Sequence, residues 1–376
     1  MAFQFNIGRD ELLRAISIQQ NITSKKGTLA ILSNVLIEVQ PDQVVFTATD
    51  LEIGLKQTVK AEVIQTGVLT LPAKKLFEIA RESGSSEVSF EELDNNWVEI
   101  TAGPSVYRLA GMVGDEFPQF PGYDEERLVQ IESSIMADLV DRTIFSIAQD
   151  KENMFTLTAA LLQKVKEDDH LYLKMISSDG HRLTIMTREI SPSLEGMQLN
   201  PKTLIPRRGV QEIRKFCENK STFSFGIEAK QAVLKSEDSL LIIRLMEGDF
   251  PDFQGLLTSL STENSISIDR NRFLEGLKRI NLFTEDIFHA IKMDIIDGKM
   301  ILTSQNADFG SAKDEFEVKY EGIPLSLGFN CRYFIESLQV MEADVIKANI
   351  NSQESPCMIT SIEDIGFLSI IMPMKL

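Results

Sequence analysis

The sequence predicts an α+β chain made of three similar units, each holding about two helices and six or more short strands. Three observations carry this. The 376 residues, 43% of them hydrophobic and 25% charged, hold enough apolar mass for two or three domains and too much for one core. A short alternating strand leading into an amphipathic helix occurs at residues 3–15, 129–140 and 266–280, at offsets of 126 and 137 residues. A second helical start recurs at Leu71 to Ala80, Ile205 to Ile213 and Leu327 to Ile335. In the first two, Pro stands at or beside the first helical turn, where its missing N–H removes no bond.

In chain order the candidate helices cover residues 6–26, 72–82, 136–152, 206–220, 270–282 and 329–342. Between them, short runs read as strands at Val44 to Ala48, Val88 to Phe90, Val98 to Thr101, Leu171 to Ile176, Ala232 to Lys235 and Met300 to Leu302. A further marker, Tyr107-Arg108-Leu109 followed by Asp115 to Phe120, reappears as Ile243-Arg244-Leu245 followed by Gly248 to Phe253. The last third closes on its own Ile370 to Leu376. Polar stretches at 122–126 and 258–264 place boundaries near 126 and 262, giving units 1–126, 127–262 and 263–376. Chance similarity accounts for one such marker more easily than for four types in one order.

The chain carries 38 Lys and Arg against 56 Asp and Glu, a net of -18. That balance excludes a protein coated in basic patches for nucleic acid, and one that docks on an anionic membrane. Resolved by element it divides: the six candidate helices hold 19 basic and 13 acidic residues, a net of +6, and the remainder a net of -24. Arg207 and Arg214, Arg208 and Lys215, and Arg272 and Arg279 are each seven apart, two turns along one helical stripe. Val210, Ile213 and Cys217 take the opposite face, as do Phe273, Leu277 and Ile280. Each stripe reads either as a solvated face opposite a core face or as a surface that meets phosphate.

Cys217, Cys331 and Cys357 are far apart and odd in number, which indicates neither a disulfide framework nor a zinc site and fits a reducing cytoplasm. The first ten residues lack a basic region followed by an apolar stretch, and runs such as Leu240 to Ile243 fall far short of a membrane span, so neither secretion nor membrane insertion is expected. Phosphate-loop, dinucleotide, nucleophile-elbow and His-Glu-x-x-His motifs are absent, and only His170, His181 and His289 exist. No catalytic residue, metal or cofactor is therefore expected. Ser177 to Leu183 stands apart, because Asp179-Gly180 between apolar runs is a hairpin-turn signal. A catalytic Asp179/His181 pair is the competing reading, with no nucleophile at a suggestive spacing.

Ser178 to Leu183, Ile205 to Val210, Gly248 to Phe253, Gly328 to Asn330 and Met372 to Leu376, in that order and spacing, resemble the bacterial sliding clamp, the β subunit of replicative DNA polymerase III. The resemblance runs from the opening strand through Thr28 to Asn34 and Thr49-Asp50 to the last residue. The chain departs from the family pattern at Ser178, usually Thr, at Ala159, usually Gly, and at Asn153 to Phe155. These departures bear on one wall of a pocket.

The resemblance implies three clamp domains per chain, each with two helices and antiparallel sheets, and a head-to-tail homodimeric ring whose helices line the pore. A three-domain arc has two free sheet edges, and pairing the first edge of one copy with the last of another removes both. Tyr107 and Leu109 would meet Leu282 and Phe283 of a second copy. Duplex DNA would be encircled and slide without sequence specificity, touched by Lys26, Arg207, Arg208, Arg214 and Lys215, with Arg272 and Arg279 added from their spacing. A hydrophobic pocket would bind peptides from the polymerase α subunit, the clamp loader, other polymerases and mismatch-repair proteins. The match assigns it Leu157, Ser178, Gly180, His181, Arg182, Leu183, Pro251, Leu256, Pro356, Ile370, Met372, Pro373, Met374, Lys375 and Leu376. Two flexible Met beside prolines suit several partners, although Met372 to Met374 also reads as an ordinary terminal strand. The competing function is an acidic scaffold that binds proteins and no DNA.

Overall fold

A computed structural model describes residues 2–23, 29–149, 155–228, 230–260, 264–285 and 288–375. Among them are seven α-helices: α1 (Arg9–Ile22), α2 (Ala73–Glu82), α3 (Ser133–Asp141), α4 (Arg207–Phe216), α5 (Gln254–Ser259), α6 (Arg270–Asn281) and α7 (Cys331–Gln339). The repeat is visible in local structure. Strands Gln4–Gly8, Val129–Glu132 and Ser265–Asp269 run into α1, α3 and α6, and Gly67–Pro72, Thr203–Pro206 and Leu325–Asn330 run into α2, α4 and α7. All paired strands described are antiparallel to their partners. The helix expected over 136–152 starts earlier and ends at Asp141, followed by a tight turn at Ile144–Ser146. The sequence reading did not anticipate α5.

The chain packs as two units, residues 1–131 with 222–244, and residues 132–221 with 245–376. The middle third contributes to both, because its sheets continue into those of its neighbours. In the first unit, α1 and α2 pack together, α1 against strands Gln43–Thr49 and Ile53–Lys60 and α2 against Gly67–Pro72, and a further sheet is ordered Glu62–Gln65, Gln4–Gly8, Glu87–Glu92, Trp97–Ala102, Ser105–Ala110. Phe5 and Ile7 alternate inward from the first strand and join Leu12 and Ile16 of α1 and Leu76 of α2 in one core. Phe5 stacks on Phe90 at 4.7 Å, nearly parallel. Strand Ile53–Lys60 pairs with Ser239–Arg244, from the middle third, in a second sheet of nine strands.

The second unit repeats that join. Strand Arg182–Ile190 pairs with Phe367–Ile371 in an eight-stranded sheet, so the middle and last thirds share one layer. α3 packs on α4 and α6 on α7. Asp269 and Asn330 cap α6 and α7 by accepting from Arg272 N (2.7 Å) and Arg332 N (2.9 Å), each cap contributing about 1 kcal/mol. Phe273, Phe316, Phe329 and Phe334 form the aromatic core beneath them. Arg142, at the end of α3, is buried against the fully buried Asp364 carboxylate at 2.6 Å. Asp364 also accepts from Glu342 N, Ala343 N and Ser361 Oγ. Burial opposes the charge on Asp364, but these donors outweigh it and hold its pKa below the ordinary value.

Candidate functional site

The hairpin at Ser178 to Leu183 is held by its own short side chains. Ser178 Oγ donates to Arg182 O at 2.7 Å and accepts from Gly180 N at 3.1 Å. Asp179 Oδ1 accepts from the amides of His181 (3.0 Å) and Arg182 (3.1 Å), and Oδ2 from Arg182 Nε (3.0 Å). Gly180 sits at φ +88°, where a side chain is strained. With both oxygens engaged in building the turn, Asp179 is not placed to act as a base, and the catalytic reading of Asp179/His181 has no geometric support. Buried Arg182 is stitched in place by Glu336, by Phe145 O at 2.7 Å and by the Tyr333 ring 4.5 Å away.

Leu183 lies in register with Ile370, and Ile370 with Met358, so three adjacent strands present one apolar floor. Ala159, Leu161, Ile185 and Leu204 extend it. Half-buried Met246, Phe250, Phe253, Leu256, Leu257 and Leu260 pack on this floor from the segment that carries α5. A Cβ on Gly180 would stand 3.8 Å from Leu157, which is itself buried. The last strand is tied to the hairpin by Met372 N to His181 O at 2.9 Å, and the tail to a second sheet by Met374 N to Gly328 O at 2.8 Å. Met372 is exposed at the rim. Pro251, Pro356 and Pro373 are half-buried and Lys375 is exposed. The hairpin, Leu157, Leu256, Ile370 and Met372 are thus brought together. Leu376, Asn153 and Lys26 lie outside the described residues.

The basic stripes have intramolecular partners. Arg207 donates to Ile144 O at 2.9 Å and to Ile147 O, closing the turn after α3, and burial, then Arg182, lower its pKa. Arg214 meets both oxygens of Asp141, at 2.7 and 2.8 Å, and that bond raises its pKa. Lys215 pairs with buried Glu212 at 2.7 Å, and Arg208 is half-buried. Arg272 and Arg279, seven apart on α6, both pair with Asp314, on strand Gly310–Glu317. Burial opposes the charge on Asp314, but Arg279 and Arg272 outweigh it and lower its pKa. The spacing that suggested a phosphate-facing row here marks a row facing the chain's own carboxylates. Arg207 is the clearest departure, since its guanidinium anchors backbone.

Tyr107 and Leu109 point toward the first unit's core, and the outward side chains of strand Ser105–Ala110 include Val106 and Arg108. That strand is an edge of its sheet, and Gly310–Glu317 is an edge of a four-stranded sheet in the second unit. Leu282 is 75% exposed and Phe283 half-buried. The sequence reading missed Phe250, Phe253 and Tyr333, although the repeated Phe-Pro-x-Phe segment pointed to the first two.

Three joined repeats, sheets that run on from one third into the next, and an apolar pocket at the last join define the ring-forming processivity clamps. Residues 3–121, 130–252 and 260–375 match, in order, the N-terminal, central and C-terminal domains described for the DNA polymerase III beta subunit. The chain is 29% identical over 377 residues to the beta sliding clamp of Chlamydia trachomatis, covering 99% of this chain and 87% of that one. It is 27% identical over 375 residues to that of Chlamydia pneumoniae, covering 99% of each. The fold superposes on the sliding clamp of C. crescentus with a TM-score of 0.94 at 24% identity, over 100% of this chain and 99% of that one. It superposes on the griselimycin-bound clamp of Bartonella birtlesii at 0.93 and 24% identity, over 100% of both. The chain belongs to the DNA polymerase III beta subunit family, the bacterial sliding clamps. It is a non-catalytic processivity factor that encircles DNA, forms dimers, and binds the polymerase and other partners through a peptide pocket.

Proposed function

We propose that the peptide pocket of this clamp is the floor of Leu183, Ile370 and Met358, rimmed by Leu157, Gly180, His181, Pro251, Leu256, Pro356 and Met372 and closed by Pro373 to Lys375. The observation that carries it is the bond from Met372 N to His181 O, which fixes the flexible Met rim beside the hairpin and over an apolar floor. Ser178 and Arg182 position the hairpin and need not touch the peptide. The Bartonella clamp binds griselimycin. Deleting Pro373 to Leu376 should abolish binding of a polymerase-derived peptide while size-exclusion chromatography still returns the dimer. Unchanged peptide affinity in that variant would sink the assignment.

The same reading takes residues 1–126, 127–262 and 263–376 as the three domains. It takes Lys26, Arg208, Arg214 and Lys215 as phosphate contacts, with Arg207 holding the Ile144 and Ile147 carbonyls and Arg272 and Arg279 shared with Asp314. Ring closure pairs the edge strand Ser105–Ala110 of one copy with Gly310–Glu317 of another, near Leu282 and Phe283. This reproduces between chains the strand join seen twice within one. Replication places the protein in the cytoplasm. No helix of the described residues is long and apolar enough to cross a membrane.

A further inference from the structure

The turn at Thr49 to Ile53, in the first unit, matches the hairpin of the peptide pocket bond for bond. Thr49 Oγ1 donates to Ile53 O at 3.0 Å and accepts from Leu51 N at 3.0 Å, as Ser178 Oγ does with Arg182 O and Gly180 N. Asp50 Oδ1 accepts from Glu52 N (3.0 Å) and Ile53 N (2.8 Å), as Asp179 does from His181 and Arg182. Arg244 N donates to Glu52 O at 2.7 Å, where Met372 N donates to His181 O. Beside this turn lies a groove of about 610 Å³, its apolar wall formed by Leu51, Ile53, Pro118, Pro121 and Ile242.

Two differences set its chemistry. Leu51 is held at φ +74° with 55% of its surface exposed, where the other turn has Gly180 at +88°. A branched side chain is strained there and glycine is not, so the strain goes with the apolar surface that Leu51 offers to the groove. Arg244 stands where the first pocket has Met372, and among the described residues no carboxylate pairs with its exposed guanidinium, in a chain of net charge -18. Glu52, Glu228 and Lys230 also line the groove, and the unpaired guanidinium beside its apolar wall favours a carboxylate next to an apolar anchor.

We propose that this groove is a second peptide site, taking a short segment whose apolar side chain lies against Leu51 and Pro118 and whose carboxylate pairs with Arg244. The class of ligand rests on the peptide reading of the first pocket. The test uses the full-length protein with methyl-labelled Leu and Ile, titrated with acetyl-Leu-Asp-Leu-amide and with its Asn counterpart, acetyl-Leu-Asn-Leu-amide. Saturable shifts are expected at Leu51 and Ile242, with affinity reduced about fivefold for the Asn peptide and likewise for Arg244→Ala. Because the peptide pair needs no substitution, a poorly folded variant would not obscure the result. No shift at Leu51, equal affinity for the two peptides, or the same shifts produced by inorganic phosphate would overturn the proposal. Failure of the first pocket would be read separately, at Leu183 and Leu256.

Discussion

Replacing Asp364 with Ala should be the most damaging single change in the second unit outside its apolar core. The carboxylate is fully buried and accepts four bonds: Arg142 Nη1 at 2.6 Å, Glu342 N at 2.9 Å, Ala343 N at 3.2 Å and Ser361 Oγ at 3.0 Å. Alanine leaves the buried Arg142 with Asp138 and the exposed Glu342, and strands two backbone N–H groups. Breaking a buried ion pair from one side costs about 3–5 kcal/mol, and the stranded amides fall largely within that figure, so about 4 kcal/mol is expected. Asn keeps an acceptor for the amides but loses the charge, and should cost about 2 kcal/mol. Guanidinium unfolding followed by far-UV circular dichroism measures both. Because the folded pKa of Asp364 lies below its ordinary 3.8, its contribution is present above that pH and is lost as the pH falls through the lowered value. The gap between wild type and variant should therefore be flat from neutral pH down to about 4 and shrink below it. A cost under about 1 kcal/mol for Ala, or Asn as costly as Ala, would refute the reasoning.

Charge reversal at Arg208 and Lys215 should lower the yield of loading onto nicked circular DNA and flatten its salt dependence. Adding Arg207→Glu should also lower the unfolding midpoint, because that side chain holds the Ile144 and Ile147 carbonyls. Loading unchanged at low salt would exclude these residues as phosphate contacts. Cys217, Cys331 and Cys357 are all buried, and burial pushes the Cys217 and Cys331 thiols up to about 12. A thiol-disulfide reagent at pH 8 should titrate no thiol until denaturant is added.

The repeat was legible because strand-to-helix switches leave a change of period in the sequence, and all six such switches are present, with α1 and α3 starting three residues from the expected positions. What the pattern could not carry were partners distant in sequence. The seven-residue spacing of Arg272 and Arg279 is real, but it takes Asp314, some 35 residues on, to turn it from a phosphate-facing row into an internal pair. Arg214 likewise needs Asp141, 73 residues back. Helix α5 was missed because Gln-Gly-Leu-Leu-Thr-Ser has little helical propensity of its own, and the packing of Leu256 and Leu257 on the sheet sustains it. The inward facing of Tyr107 and Leu109 was readable from strict alternation, exposed residues taking the even positions beside them. For the hairpin at Ser178 to Leu183 the residue types were enough, since Ser178 and Asp179 build the turn from their own atoms. The same logic applied to Thr49 and Asp50 would have pointed to the second groove.

The ring closure proposed above also implies a way for the two edge strands to discriminate between partners. Strand Gly310–Glu317 exposes Lys313 against Glu315 and Glu317, a net of -1 with Asp314 turned inward to Arg272 and Arg279, whereas Ser105–Ala110 carries only Arg108. Two copies of the acidic strand laid side by side would face like charges across the ladder, which destabilises such pairs, while the unlike edges attract. Head-to-head pairing is thereby disfavoured before any side chain is packed. The same acidic stretch that adds to the chain's net charge would act as a polarity mark, telling each copy which end of the next to accept.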